Sequence, residues 1–269
     1  MESLWGTVLD LLPGDWDVFK LWPIWRFLLG GLWISVRIAL ISIVLSLVIG
    51  VIMSVGRLSP VPLVRVLATT YIETFRATPL LLLMFFVFFG AGRFNTSWAQ
   101  GIPLLSWFVD DSSGDLTSEA SAILALSLYN SAVVAEVMRA GILSISKGII
   151  EASRALGLTY LQSMRYLAVP MALRRMSPGL VSQLITLYKD TSLAYLILVF
   201  ELLRRGKLLY ESPVYGNPIV EVLIVIALFY FIPNYLLSRV AAQLEHGPET
   251  DARAGPAVTE TAFKTAAGG

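Results

Sequence analysis

From Ile38 to Val55 the chain runs for 18 residues without a single charged side chain. A helix rises about 1.5 Å per residue, so such a run covers most of a hydrocarbon core about 30 Å thick. Four more apolar stretches follow. They are Ala77 to Gly92, Ala120 to Ala135, Met176 to Phe200 with Lys189 and Asp190 inside it, and Val222 to Ser238. Backbone groups in lipid must be paired within the chain, so stretches of this kind are helices. Composition agrees: 56% of residues are hydrophobic, only 14% are charged, and mean hydropathy is +0.73. A soluble globule of this size needs more polar surface than that.

The fold class expected is all-α, a polytopic membrane protein with five transmembrane helices. The spans are placed at about 27–55, 66–92, 119–139, 176–200 and 217–239. An external amphipathic segment precedes them at 1–26, a cytoplasmic loop fills 140–175, and 242–269 is a disordered tail of Gly, Pro, Ala, Thr and scattered charges. Glu2, Asp10, Asp15 and Asp17 precede the first long apolar run, where a signal peptide would carry basic residues.

Five spans put the termini on opposite sides. With the N-terminus outside and the C-terminus cytoplasmic, 11 basic residues fall inside (among them Arg57, Arg65, Arg139, Lys147 and Arg154) and 6 outside. That is the direction of the positive-inside rule, and all 7 tryptophans then lie outside or at the outer interface. The external cluster Arg204, Arg205 and Lys207 runs against the rule.

Cysteine is absent and the single histidine, His246, lies in the tail, which excludes disulfides, thiolate or histidine metal sites and cysteine or histidine catalysis. No Gly-x-x-x-x-Gly-Lys-Ser/Thr loop is present, so nucleotide chemistry belongs to another chain. The reading is a non-catalytic membrane subunit with no cofactor of its own, no metal and no nucleic-acid partner.

Within the first span Ser42, Ser46, Gly50 and Ser54 recur every fourth residue. Small residues at that spacing let another helix approach closely, either within this subunit or from a second one.

Charges at membrane depth are expensive and mark function by default. Glu73 and Arg76 are three apart and able to pair, with the Thr78 hydroxyl beside them and a carbonyl freed by Pro79. Lys189 and Asp190 fall near the middle of their 25-residue stretch. As neighbours they point about 100° apart, so they pair with other spans or the helix breaks there. Asn130 and Glu136 in the third span are partner candidates, and Ser192 lies just beyond. A polar cluster of this kind either recognises the ammonium and carboxylate of an amino acid or latches the bundle together.

The stretch between the third and fourth spans reads as helix, glycine turn, helix. Glu151 to Leu156 are mostly helix formers, Gly157 suits a C-cap or sharp turn, Thr159 can cap the next helix, and Pro170 limits its end. Its apolar residues, Leu156, Leu158 and Leu167 among them, need a cover: the protein's own helices, lipid headgroups or a partner's groove.

Glu151-Ala152-Ser153, three residues, Gly157, nine residues, then Leu167-Ala-Val169-Pro170 resembles the EAA loop of ABC-importer permeases, with serine, leucine and valine as modest departures. Gly148-Ile149-Ile150 stands where many members have Gly-Gln before the motif. Glu73-Thr-Phe-Arg76-Ala-Thr78-Pro79-Leu80, Ala135-Glu136-Val-Met-Arg139-Ala-Gly141 and Lys189-Asp190-Thr191-Ser192-Leu193 are similar to the polar amino-acid permeases (histidine, glutamine, glutamate, arginine) of that superfamily. The run from Ser182-Gln183 through Glu201 to Arg205-Gly206 looks closest to the glutamate and aspartate members.

The resemblance implies the ABC type I importer transmembrane-domain fold in a bacterial inner membrane. It implies a cytoplasmic ATPase dimer carrying ATP and Mg, a second permease subunit (a copy or a homologue) and an extracytoplasmic amino-acid-binding protein. Glu151, Ala152, Ser153, Gly157, Leu158, Leu167 and Pro170 would then meet the ATPase, and Glu73, Arg76, Thr78, Asn130, Glu136, Lys189, Asp190 and Ser192 would line the substrate pathway. Two other readings compete. One is an ion-coupled secondary transporter or channel using Glu73, Lys189 and Asp190. The other is a structural membrane subunit with no pathway.

Overall fold

The computed structural model describes residues 16–59, 61–91, 117–163, 166–167 and 169–245. The expected tail beyond residue 245, most of the expected external N-terminal segment and residues 92–116 lie outside them. All regular structure among the described residues is helical. Helix α1 is Trp22–Arg57, α2 is Pro62–Ala77, α3 is Leu80–Ala91, α4 is Ser118–Leu143, α5 is Lys147–Ala155, α6 is Tyr160–Ser163, α7 is Val169–Asp190, α8 is Leu202–Tyr210 and α9 is Ile219–Glu245.

Three of these helices, α1, α4 and α9, are long and apolar enough to cross a membrane, and the α2–α3 pair makes four if counted as one broken span. Five were expected, and the difference lies at a proline in the second apolar run and at the charges of α7, Arg174, Arg175, Lys189 and Asp190, in and beside the fourth. The stretch expected to cross at 66–92 is two helices bent by 105°. Pro79 causes the break: its ring holds the preceding residue extended, and Thr78 sits at φ −84, ψ 128. Both the amide and the hydroxyl of Thr78 donate to the Thr74 carbonyl (3.1 and 2.8 Å), closing the last turn of α2. The stretch expected at 176–200 is α7 only as far as Asp190. A 3-10 turn over Thr191–Ile197 and a left-handed residue, Leu198 (φ 69), carry the chain on to α8.

Helices α1 and α4 run parallel in close contact, and the small-residue stripe is what allows it. Ser42 and Ser46 donate to the carbonyls of Ile123 and Ser127 (3.4 Å each), and Ser54 is buried below them. A side chain at Gly50 would put its Cβ 2.5 Å from Val134 Cγ1 and 3.1 Å from the Ser131 carbonyl. The stripe therefore packs within this chain. Each end of the seam carries an ion pair: Arg37 with Glu119 at one level, Arg57 with Glu136 at the other. The two arginines are 20 residues apart on one helix, about 30 Å, which equals the thickness of a hydrocarbon core.

The cores follow this frame. Near the start of α1, Phe19, Leu28, Leu202, Val222 and Ile226 pack together; deeper, Ile38, Met84, Leu126 and Ile197 do so. Val44, Val48 and Ile52 on α1 and Leu228, Phe231 and Leu236 on α9 remain exposed. Lipid tolerates such faces where water would not.

Candidate functional site

At the Arg57 level four charges form one network across three helices. The Arg57 guanidinium donates to Glu136 (2.9 Å) and to Glu73 (3.0 Å), and Arg139 donates to the other Glu136 oxygen. Glu73 thus pairs with Arg57 rather than with Arg76, its expected partner, and Arg76 contributes its field to Glu136. The Thr78 hydroxyl is spent on its own helix. Glu136, half-buried with two guanidiniums against it, is committed here and is not available to Lys189. Sequence reading misses Arg57, which enters it only as one of the inside charges.

Asn130 is fully buried on α4, between the two ion-paired levels. Its amide donates to the Leu126 carbonyl (2.9 Å) and its oxygen accepts from Gln183 of α7 (2.5 Å). A carboxamide pair therefore joins α4 to α7 at mid-depth. Gln183 precedes Asp190 by seven residues, two helical turns, and that spacing is the signal for it.

Lys189 and Asp190 lie about 10 Å further along α7, nearer the Arg37 level than the middle. Tyr188 beside them packs on Ala39 of α1. The helix ends here: Thr191 and Ser192 turn their hydroxyls back to the carbonyls of Tyr188 and Lys189 (2.7 and 2.8 Å). Lys189 is exposed and Asp190 half-buried. Among the described residues neither side chain has a hydrogen bond or ion pair to another element. Two charges beside the last carbonyls of α7 can hold opposite charges: the helix end and Asp190 favour a cation, the ammonium an anion.

The loop between α4 and α7 has the geometry its residues call for. Helix α5 closes with two reverse bonds, Gly157 N–H to the Arg154 carbonyl (3.0 Å) and Leu158 N–H to the Ser153 carbonyl (3.1 Å). That closure needs a left-handed residue, and Gly157 is at φ +88. Thr159 and Gln162 then cap α6 reciprocally: Gln162 N–H donates to Thr159 Oγ1 (3.3 Å) and Thr159 N–H to Gln162 Oε1 (2.8 Å). The Ser153 hydroxyl, where the resemblance expects alanine, is buried and donates to Ser163 Oγ (2.6 Å), pinning α5 to α6. Pro170 does not end this pair; it opens the first turn of α7, where its missing N–H costs nothing. Glu151 and Ala152 are exposed, Leu158 and Leu167 half-buried, and Leu156 is 85% exposed.

A chain with this bundle and this loop also matches a family model, the binding-protein-dependent transport system inner membrane component, over residues 23–247. The chain belongs to that family. It is 39% identical over 219 residues to the probable glutamine ABC transporter permease protein GlnP of Bacillus subtilis (strain 168), covering 81% of this chain and 92% of that one. It is 32% identical over 237 residues to the glutamate transport system permease protein GluD of Corynebacterium glutamicum, covering 88% and 80%. Among solved structures, that described as an amino acid ABC transporter with histidines superposes with a TM-score of 0.71 at 24% identity, covering 87% of this chain and 99% of that one. This inner-membrane component therefore has the fold of the ABC type I importer transmembrane domain.

Proposed function

We propose that this permease serves an ABC importer for polar amino acids, glutamate and aspartate among them, with its N-terminus outside and its C-terminus in the cytoplasm. The exposed Leu156 beside the Gly157 turn carries the reading. An apolar side chain left uncovered on the hydrogen-bonded α5–α6 hairpin that follows α4 suits a partner's groove, and the family is one of binding-protein-dependent transport. Glu151, Ala152, Ser153, Gly157, Leu158, Leu167 and Pro170 form or support the surface that meets a cytoplasmic ATPase dimer, where ATP and Mg are held. A second permease subunit completes the pathway, and an external binding protein loads it.

In the pathway Asp190 and the carbonyl end of α7 take the substrate ammonium, and Lys189 takes its carboxylate. Ser192 fixes the turn that presents them, and Gln183, held from behind by the buried Asn130, faces the passing side chain further in. Glu73, Arg76, Thr78 and Glu136 belong to the inner mouth. The test is uptake by the assembled transporter carrying Asp190→Asn or Lys189→Gln. Each raises the substrate KM at least about tenfold, the scale of losing a charged hydrogen bond. Unchanged KM in both variants would leave the two charges without a part in transport.

A further inference from the structure

The one fully buried carboxylate among the described residues is not on the pathway. Glu201 is 0% exposed and stands at the junction between the stretch that leaves α7 as a 3-10 turn after Asp190 and the start of α8. Its two oxygens accept four hydrogen bonds. Oε1 takes the Arg204 amide (2.7 Å), while Oε2 takes the Leu203 amide (2.8 Å), the Tyr230 hydroxyl of α9 (3.1 Å) and the Ser35 hydroxyl of α1 (3.3 Å). Ser35 accepts in turn from the Leu202 amide (3.3 Å). Three helices thus meet on one carboxylate.

Two glycines make the meeting possible. A Cβ on Gly31 of α1 would lie 2.9 Å from Leu202 Cα, and one on Gly206 of α8 would lie 2.1 Å from Ile226 of α9. The arginines that follow face backward. Arg204 donates to the Tyr195 carbonyl (3.2 Å), and Arg205 donates to the carbonyls of Phe200 (3.0 Å) and of Phe27 on α1 (2.8 Å). Backbone that leaves the helix at membrane depth must have its carbonyls satisfied by protein. Arg205 does that for Phe200, and Arg204 adds a second donor to the Tyr195 carbonyl, which also accepts from the Leu198 amide (3.2 Å), so two of the three basic residues on the side the positive-inside rule disfavours are engaged with backbone.

We propose that Glu201 is a positioning residue for transport. It anchors the start of α8, and through Arg204 and Arg205 that anchor holds Thr191–Phe200 in the shape that presents Lys189 and Asp190. Glu201 touches no substrate. Its effect on transport rests on the pathway reading above; its hold on the segment does not.

The chain has no cysteine, so Leu196→Cys is its single thiol, and its labelling rate with a membrane-impermeant maleimide in proteoliposomes holding the assembled transporter, read on this chain alone after denaturing electrophoresis, reports the segment. With Glu201→Gln, labelling rises about tenfold, the scale set by one charged hydrogen bond to a locally opening segment. Substrate KM also rises, while bound ATPase and the maximal rate stay within about twofold. Unchanged labelling in an assembled Glu201→Gln transporter overturns the proposal. If that variant fails to assemble, Tyr230→Phe and Ser35→Ala each remove one donor and raise labelling about two- to threefold; no change in either also overturns it. Should labelling rise while KM stays flat in Asp190→Asn, the pathway reading fails and the hold on the segment stands. Raised labelling with KM flat only in Glu201→Gln overturns the transport role.

Discussion

The Arg57 guanidinium donates to the Glu136 carboxylate across 2.9 Å, joining the end of α1 to α4, the helix that leads into the Gly157 loop. Removing either partner strands a half-buried charge at the edge of the apolar core that Arg139 and Glu73 only partly compensate. Arg57→Ala and Glu136→Gln each lower the unfolding midpoint of the purified subunit in detergent. The double variant loses less than the sum, with a coupling energy of about 1–3 kcal/mol. Strict additivity would mean the pair does not join the two helices.

At Gly50 the seam leaves no room. Gly50→Val drives a branched side chain into Val134 and the Ser131 carbonyl, costing about 1–3 kcal/mol and forcing α1 from α4. Folded yield and thermal midpoint fall, whereas Val48→Ala, on an exposed face, leaves both near the starting values.

The Gly157 turn is a question of backbone conformation. Gly157→Val places a β-branched residue at φ +88, costs about 1–2 kcal/mol or more, and opens the closure of α5. Co-purification of the ATPase is lost while the membrane helices remain folded by circular dichroism. Glu151→Lys, on the exposed face of α5, gives the same loss with the turn intact. ATPase retention in both would place the docking surface elsewhere.

Pro79 sets the direction of α3. Pro79→Ala removes the restriction on Thr78 and restores a donor, so α2 and α3 join into a straighter helix. The distance between spin labels at Leu67 and Phe86, both exposed, then lengthens in the purified variant, and an unchanged distance would mean packing, not proline, holds the 105° bend.

Patterns local in sequence are legible, and partnerships across the chain are not. The stripe Ser42, Ser46, Gly50 and Ser54, the Gly157 turn and the Thr159 cap follow from spacing and residue type, and each takes the form its residues favour. That the stripe meets α4 is not in the pattern, because a helix face does not name what covers it. The same holds for Arg57 with Glu136, separated by 79 residues, and Gln183 with Asn130, separated by 53. Hydropathy counts composition and not direction, so it carries the second span straight through Pro79 and the fourth past Asp190. Glu201 enters the sequence reading only as part of a likeness. A carboxylate before Leu202-Leu203-Arg204 is a helix cap by its position, but its burial depends on Gly31 and Gly206, far apart in the chain.

If import by this permease is driven by ATP and fed by a binding protein, labelled glutamine and glutamate enter proteoliposomes that hold the permease, its ATPase and its binding protein with internal ATP clamped. Uptake that needs ATP and the external binding protein, and persists when an uncoupler collapses the ion gradients, is the result expected. Uptake abolished by the uncoupler while ATP is maintained would contradict it and point to ion coupling through Glu73, Lys189 and Asp190.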